Sequence, residues 1–362
     1  MDTLVRSAAV ILGAVGVFYY FHSIVRVMLI NRREHDFVEL FARSTAVSFV
    51  HWLIGGERDY GHIQRLQAWV LPIFLFVAVV SWFVIVQLSF AFILWGFRLE
   101  RGWPESFSSS GSALSTLGYK TPPMLFGQYL AVFEAGIGLA VVILLFTFVP
   151  GYQTAVQVRE RKVGWLYART GSRPTTSSLL DALHRAGRLK NANSVWETWE
   201  HWFRGVYETH SIVPVLAYVP SIYHGASWLG ASAAVLDSAS LLVACLDEKD
   251  TESARICRTI GTICLKSIAQ ELNPRDTPDA VAGHSVDPNV VANFDTLYDG
   301  LVKMGLPVLS DKEQCRSRFL SFRGEFEPSV RVIANSTLMP VDEPWILPHP
   351  RSDVSGKTVP TV

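Results

Sequence analysis

Three stretches of the chain are apolar at nearly every position, and between them the pattern reverts to mixed polar and apolar residues. Ser7 to Ile30 is the first, interrupted only by His22 and Arg26 near its end. Ala68 to Phe97, the second, carries no charge and has Pro72 near its start; Tyr129 to Val149, the third, holds one acid, Glu134. A helix needs about 20 apolar residues to cross the hydrocarbon layer of a bilayer, so each stretch predicts a transmembrane helix. The first does not read as a secretory leader. Its apolar part is too long, Asp2 stands beside a single Arg6 before it, and no small-residue cleavage pattern follows.

A fourth apolar run, Gly225 to Leu246, is long enough to cross but has Asp237 at its middle and many Ser and Ala. A central Asp costs about 2.5–3.5 kcal/mol on membrane insertion, and the run is read as a buried helix of a water-facing domain. Between the first two spans, Phe37, Leu40, Phe41, Phe49, Trp52 and Leu53 predict an amphipathic helix, lying on the inner leaflet or packed on the C-terminal half. Gly55-Gly56 ends it. Thr170 to Ser178 is a linker whose last Ser and Thr can cap the next helix. From Leu179 to Leu272 the period is helical, with Trp196, Trp199, Trp202 and Phe203 on one core-facing side. Met339 to Val362 is rich in Pro, aperiodic and expected to be flexible. The fold class is therefore all-α: three transmembrane helices and a helical C-terminal domain.

Charge fixes an orientation. Asn31 to Gln67 carries Arg32, Arg33, Arg43, Arg58 and Arg65, and the segment after the third span carries Arg159, Arg161, Lys162, Arg169 and Arg173. Only Arg98, Arg101 and Lys120 lie between the second and third spans. The positive-inside rule then places the N-terminus outside a cell membrane, the C-terminal half in the cytoplasm, and Arg98 to Phe126 outside. Mean hydropathy is positive, and 32 basic residues balance 32 acidic ones, leaving no basic field for nucleic acid. Cys245, Cys257, Cys264 and Cys315 show no paired spacing, which suits a reducing compartment and no metal site. No Gly-rich phosphate loop, dinucleotide fingerprint, serine elbow or zinc spacing is present. Glu208-Thr209-His210 and the pair Glu197 and His201 have no nucleophile beside them and are read as structural. No enzymatic activity and no cofactor are expected.

The polar interval between the second and third spans is the informative one. Trp103-Pro104-Glu105 has the signature of a helix start, with Pro in the first turn and an acid at the positive end of the dipole. The helix runs through "ESFSSSGSALS" to about Thr116, three turns and too short to cross. Non-helical backbone at membrane depth is tolerated only where protein buries it or it lines a watery path. A short helix, "TLGYK" and a return through Pro122-Pro123 therefore predict a re-entrant pore loop.

Thr116-Leu117-Gly118-Tyr119 resembles the first four positions of the potassium-channel filter, TVGYG, and the order of outer helix, pore helix, filter and inner helix is similar to that superfamily's two-helix pore module. The resemblance implies that backbone carbonyls of Thr116, Leu117, Gly118 and Tyr119 replace the hydration shell of K⁺ or another monovalent cation, and that four subunits assemble around one filter. Glu134 is placed to support the filter or to enter a charge pair. Gly136 and Gly138 resemble the glycine at which inner helices bend, close helix packing being the alternative. Further on, Trp199, Trp202, Phe203, Glu208, His210, Pro214, Leu216, Trp228 and Leu236-Asp237 resemble the cytoplasmic region of a largely actinobacterial group of potassium-channel-family proteins. The resemblance spans Gly102 to Asp247 and implies no activity for that region; its cytoplasmic partner stays open.

Lys120 departs from the pattern, standing where the family has glycine, with Thr121 where aspartate is usual. Four copies at one pore mouth would each oppose a cation about 5 Å away by roughly 3 kcal/mol at an effective dielectric near 20. Three outcomes fit: side chains turned away towards Glu105 or Glu134, leaving a shortened cation site; a poorly selective or anion-tolerant pore; or a silent scaffold or sensor. The first is the reading favoured. Members of the group carry degenerate filters as well. The resulting boundaries are 1–31 for the first helix, 32–67 for the cytoplasmic loop and 68–150 for the pore module. Within that module, 68–97 is the outer helix, 103–123 the pore helix and filter, and 127–150 the inner helix. The cytoplasmic domain is 151–338 and the tail 339–362.

Overall fold

Hydrocarbon leaves no partner for a bare peptide group, and a helix satisfies its own. The computed structural model of the chain describes residues 2–29, 36–57, 59–170, 174–189, 192–223, 225–247, 251–273 and 288–338, all of whose regular elements are helical. Arg32, Arg33, Arg58, Arg173 and the tail 339–362 lie outside the described residues.

The chain divides into two units. The first holds Met1–Gly55 and Ala68–Thr154. Its elements are α1 (Asp2–Ile24), which widens into a π-helical turn over Val25–Leu29, α2 (Phe37–Ile54), α4 (Val70–Gly96), α5 (Trp103–Leu114) and the first part of α6 (Leu125–Thr170). The second unit holds Gly56–Gln67, which contains α3 (Tyr60–Gln67), and Ala155–Val362. Helix α6 thus belongs to both, with Pro150 inside it.

In the first unit α1 and α4 run antiparallel. The guanidinium of Arg6 donates to the Trp95 carbonyl at 2.8 Å, and the Trp82 indole N–H donates to Ser23 Oγ at 3.0 Å, so residue 6 lies level with 95 and residue 23 with 82. Asp36 caps α2, accepting from the Val38 N–H and from the Ser23 hydroxyl, both at 2.8 Å. Val38, Ala42, Ala46, Val50 and Ile54, four residues apart, form the buried side of α2, which packs on α4. The predicted stripe of Phe37, Leu40, Phe41, Phe49, Trp52 and Leu53 is exposed on the other side.

The second unit is built around α9 (Trp228–Cys245), every residue of which is buried. Around it and against one another pack α7 (Thr176–Arg185), α8 (Asn193–His210), a 3₁₀ turn over Pro214–Tyr218, α10 (Glu252–Leu272), α12 (Lys312–Gly324) and α13 (Glu327–Ser336). After α10 and before α12 comes α11 (Pro288–Lys303). Asp237 sits inside this apolar packing because Arg323 reaches it from α12 and also holds Glu327 at 2.9 Å, which in turn binds Arg331. Gln64 of α3 secures the turn before α9: its amide N–H groups donate to the Ala226 carbonyl at 2.7 Å and to that of Tyr223 at 3.2 Å, and its oxygen accepts from the Gly225 N–H at 2.9 Å.

Among the described residues five helical stretches are long and apolar enough to cross a membrane, which marks a membrane protein: α1, α2, α3 with α4, α6 and α9. Three coincide with the predicted spans. Helix α2 meets the same test by length and composition, and α9 meets it while lying wholly inside the second unit. Thr175 forms the capping box of α7 with Ser178, as the Ser and Thr residues of the linker predict.

Candidate functional site

The site is the loop from Ser115 to Pro123, and α5 sets its shape. Gly102 precedes the helix, Pro104 lies in its first turn and Glu105 follows. Ser106, Ser109, Ser110 and Ser112 are all fully buried, and each needs a partner. The Ser106 hydroxyl donates to the Gly102 carbonyl at 2.9 Å, and Ser109 binds the carboxylate of Glu100. Ser110 lies between the Gln87 carbonyl at 2.9 Å and Glu134 Oε1 at 2.5 Å. Ser112 serves the loop. Its carbonyl accepts from the Gly118 N–H at 3.1 Å and its hydroxyl from the Lys120 N–H at 2.8 Å. The Thr116 N–H donates to the Ala113 carbonyl at 2.9 Å. Every second amide of the loop, at 116, 118 and 120, is therefore turned back onto α5.

The backbone angles match that alternation. Thr116 has φ +59° and Gly118 φ +66°. Alternating left- and right-handed residues put successive N–H groups on one side of a chain and successive carbonyls on the other. Glycine takes a positive φ freely, and at Gly118 open space surrounds the position where a Cβ would stand, so backbone conformation alone calls for glycine. A β-branched residue at positive φ is a real outlier, with a cost of about 1–3 kcal/mol, and such strain gathers at functional sites. Lys120 does not continue the series, since its φ is not positive. The alternation ends at Gly118.

Among the side chains, Leu117 and Tyr119 are 73% and 66% exposed in the single chain. The Tyr119 hydroxyl meets the hydroxyl and the carbonyl of Ser108, both at 3.2 Å, so the loop runs back along α5 towards its start. Lys120 is half-buried and pairs with neither Glu105 nor Glu134 among the described residues. No ion pair between Lys120 and either acid is formed among the described residues of the single chain. Glu134 is fully buried on α6 and bonded to α5 through Ser110, while its Oε2 has no partner among the described residues. Its hydrogen bond is made to α5, the helix behind the loop.

The two glycines of α6 separate. A Cβ on Gly138 would overlap the Leu114 carbonyl oxygen, so this glycine lets α6 lie directly against the end of α5. Gly136 is exposed, with nothing within 4 Å of a Cβ. Helical assignment continues through both. Sequence reasoning missed the serines as the loop's holders. Their cluster at 106, 109, 110 and 112 in an otherwise apolar region was the available signal.

The C-terminal motif residues are core, not a cleft. Trp199, Trp202, Phe203, His210, Pro214, Leu216, Trp228, Leu236 and Asp237 are buried, and Glu208 alone is exposed. Among the described residues His201 bonds the carbonyl one turn back, at Glu197. Among the described residues no group of three or more His, Cys, Asp or Glu is placed to hold a metal ion. Comparison with models of known families, with curated proteins and with solved structures returns no match.

Proposed function

We propose that the chain is a potassium-channel-like cation channel of the cell membrane, with a filter shortened to Thr116–Tyr119 and weakened in selectivity by Lys120. The observation that carries this reading is the alternating backbone: left-handed Thr116 and Gly118, with the amides at 116, 118 and 120 drawn onto α5. That arrangement frees a short row of carbonyls on the opposite side, the ligand set that suits a partly dehydrated monovalent cation. One loop supplies one wall, so four copies complete the site. The strained threonine is hard to explain as a mere turn, where Gly or Asn would serve.

The three-span layout has its own support. Because α1 and α4 are antiparallel, the C-terminal end of α1 and the N-terminal end of α4 point the same way. Helix α2, whose cap Asp36 is bonded to Ser23 level with Trp82, packs on α4 between them, an arrangement that suits two spans joined by a helix returning to the side it left. The charge pattern makes that side cytoplasmic. Membrane lipid is the remaining partner, and no cofactor, nucleic acid or catalytic role enters. A second reading, a non-conducting scaffold or sensor whose cytoplasmic domain binds a partner, is favoured by Lys120, which removes the next left-handed position and adds a cation at the end of the row.

Rubidium uptake into liposomes containing the full chain tests the proposal. Uptake is expected for the natural sequence and is lost in Gly118→Ala, which penalises the positive φ that position 118 needs. Absence of uptake from both the natural chain and Lys120→Gly, each shown to be folded, removes the channel reading and leaves the scaffold.

A further inference from the structure

The cytoplasmic continuation of α6 carries a buried cation that the filter reading does not use. Arg159 is 1% exposed. Its Nε–H donates to Glu160 at 2.8 Å, one terminal nitrogen to the Leu216 carbonyl at 3.1 Å, and the other to the Val219 carbonyl at 2.7 Å. Leu216 lies within the 3₁₀ turn after α8 and Val219 just after it, and the Leu216 carbonyl also accepts from the Val219 N–H at 3.2 Å. The same terminal nitrogen that meets Leu216 also meets His210 Nε2 at 3.0 Å. Both residues lie beside the Trp228 ring, the guanidinium 5.4 Å from its centroid and the imidazole 5.7 Å. From the other direction, the Trp202 indole N–H donates to the Arg159 carbonyl at 3.0 Å.

Arginine has donors only, so His210 Nε2 must accept, and the imidazole carries its hydrogen on Nδ1. Nδ1 faces the Thr209 hydroxyl at 2.8 Å, and that hydroxyl donates onward to the Gly205 carbonyl. The bond between His210 and Arg159 therefore exists for one protonation state of the histidine. A second proton would set two donors and two positive charges 3.0 Å apart in a site closed to water.

We propose that His210 and Arg159 form an acid-released clamp, in which protonation of His210 expels the Arg159 guanidinium from the Leu216 and Val219 carbonyls and frees this part of α6 from the 3₁₀ turn. The groups that govern the switch come from each neighbouring element. Helix α6 supplies Arg159 and Glu160, α3 supplies Tyr60, which acts on Arg159, and α9 supplies the uncharged Trp228 ring. Helix α8 adds Thr209, and α10 places the Ser267 hydroxyl on neighbouring Ser211 at 3.0 Å. Burial and the adjacent Arg159 both hold His210 well below its ordinary range. The sign follows. The unfolded or released segment binds a proton near pH 6.5 while the clamped one does not, so the clamp is at full strength above that pH and loses strength as pH falls.

Hydrogen exchange on the full chain in lipid nanodiscs, corrected for the intrinsic pH dependence of exchange, tests this without reference to ion flux. The expected result is a single step below about pH 6.5, at least tenfold faster exchange in peptides covering α6 after Ala155 and residues 211–219, with α12 and α13 unchanged. His210→Gln keeps an acceptor for Arg159 and does not titrate, so it should abolish the step and retain protection at pH 7.5. Three results would overturn the clamp: no step in the natural chain down to pH 4.5, a step of the same size in His210→Gln, or loss of protection throughout the unit at once. Should His210→Gln fail to fold, nitrogen-15 histidine spectra of the natural chain decide. The clamp requires His210 to stay in the Nδ1–H form until the step and then to titrate with it, whereas independent titration near pH 6.5 contradicts it.

Discussion

Thr116 and Gly118 illustrate what one residue can and cannot reveal. The glycine between Leu117 and Tyr119 could be read as a left-handed position from its type alone. The φ of +59° at Thr116 could not, because threonine ordinarily avoids that region and nothing in its neighbours forces it there. The identity of Lys120 was legible, and its consequence for charge could be worked out, but the bond of its amide to Ser112 and the end of the positive-φ series before it depend on the folded loop. Single substitutions separate backbone strain from packing. Gly118→Ala should destabilise the folded chain by about 1–2 kcal/mol, the cost of a left-handed residue with a Cβ. Gly136→Ala, in open space on a helix, should stabilise it by about 0.5–1 kcal/mol. Denaturant unfolding of both variants in one detergent checks the pair, and equal effects would mean that φ at position 118 is not held positive.

Elements were more legible than contacts. The three longest apolar runs, the short polar helix α5 and the Gly55 stop of α2 follow from periodicity and cap chemistry. Where α5 ends was harder: it stops at Leu114, two residues before the expected Thr116, because the Thr116 and Gly118 amides turn back onto its last carbonyls. Asp237 was readable as a reason to keep α9 out of lipid. Its partner was not, since Arg323 lies 86 residues away and no local pattern links them. That pairing predicts an asymmetry. Arg323→Met alone leaves a buried carboxylate uncompensated and should cost about 3–5 kcal/mol, whereas Arg323→Met combined with Asp237→Leu should recover most of that loss. Thermal unfolding of the single and double variants measures it, and a double variant as unstable as the single one would show that the pair is needed for more than charge balance.

At the scale of the whole molecule, two units share one uninterrupted helix, α6, which carries Glu134 and Gly138 behind the loop and Arg159 in the second unit. The loop turns three of its amides onto α5 and reaches a lysine, and in the proposed channel four such loops make a short, imperfect cation path. The reversal potential of the reconstituted full chain under a tenfold KCl gradient tests that most directly. A cation path predicts a potential of the sign set by K⁺, short of the ideal value, and moving closer to it in Lys120→Gly. A potential of the sign set by Cl⁻, or no current from either protein, would contradict it.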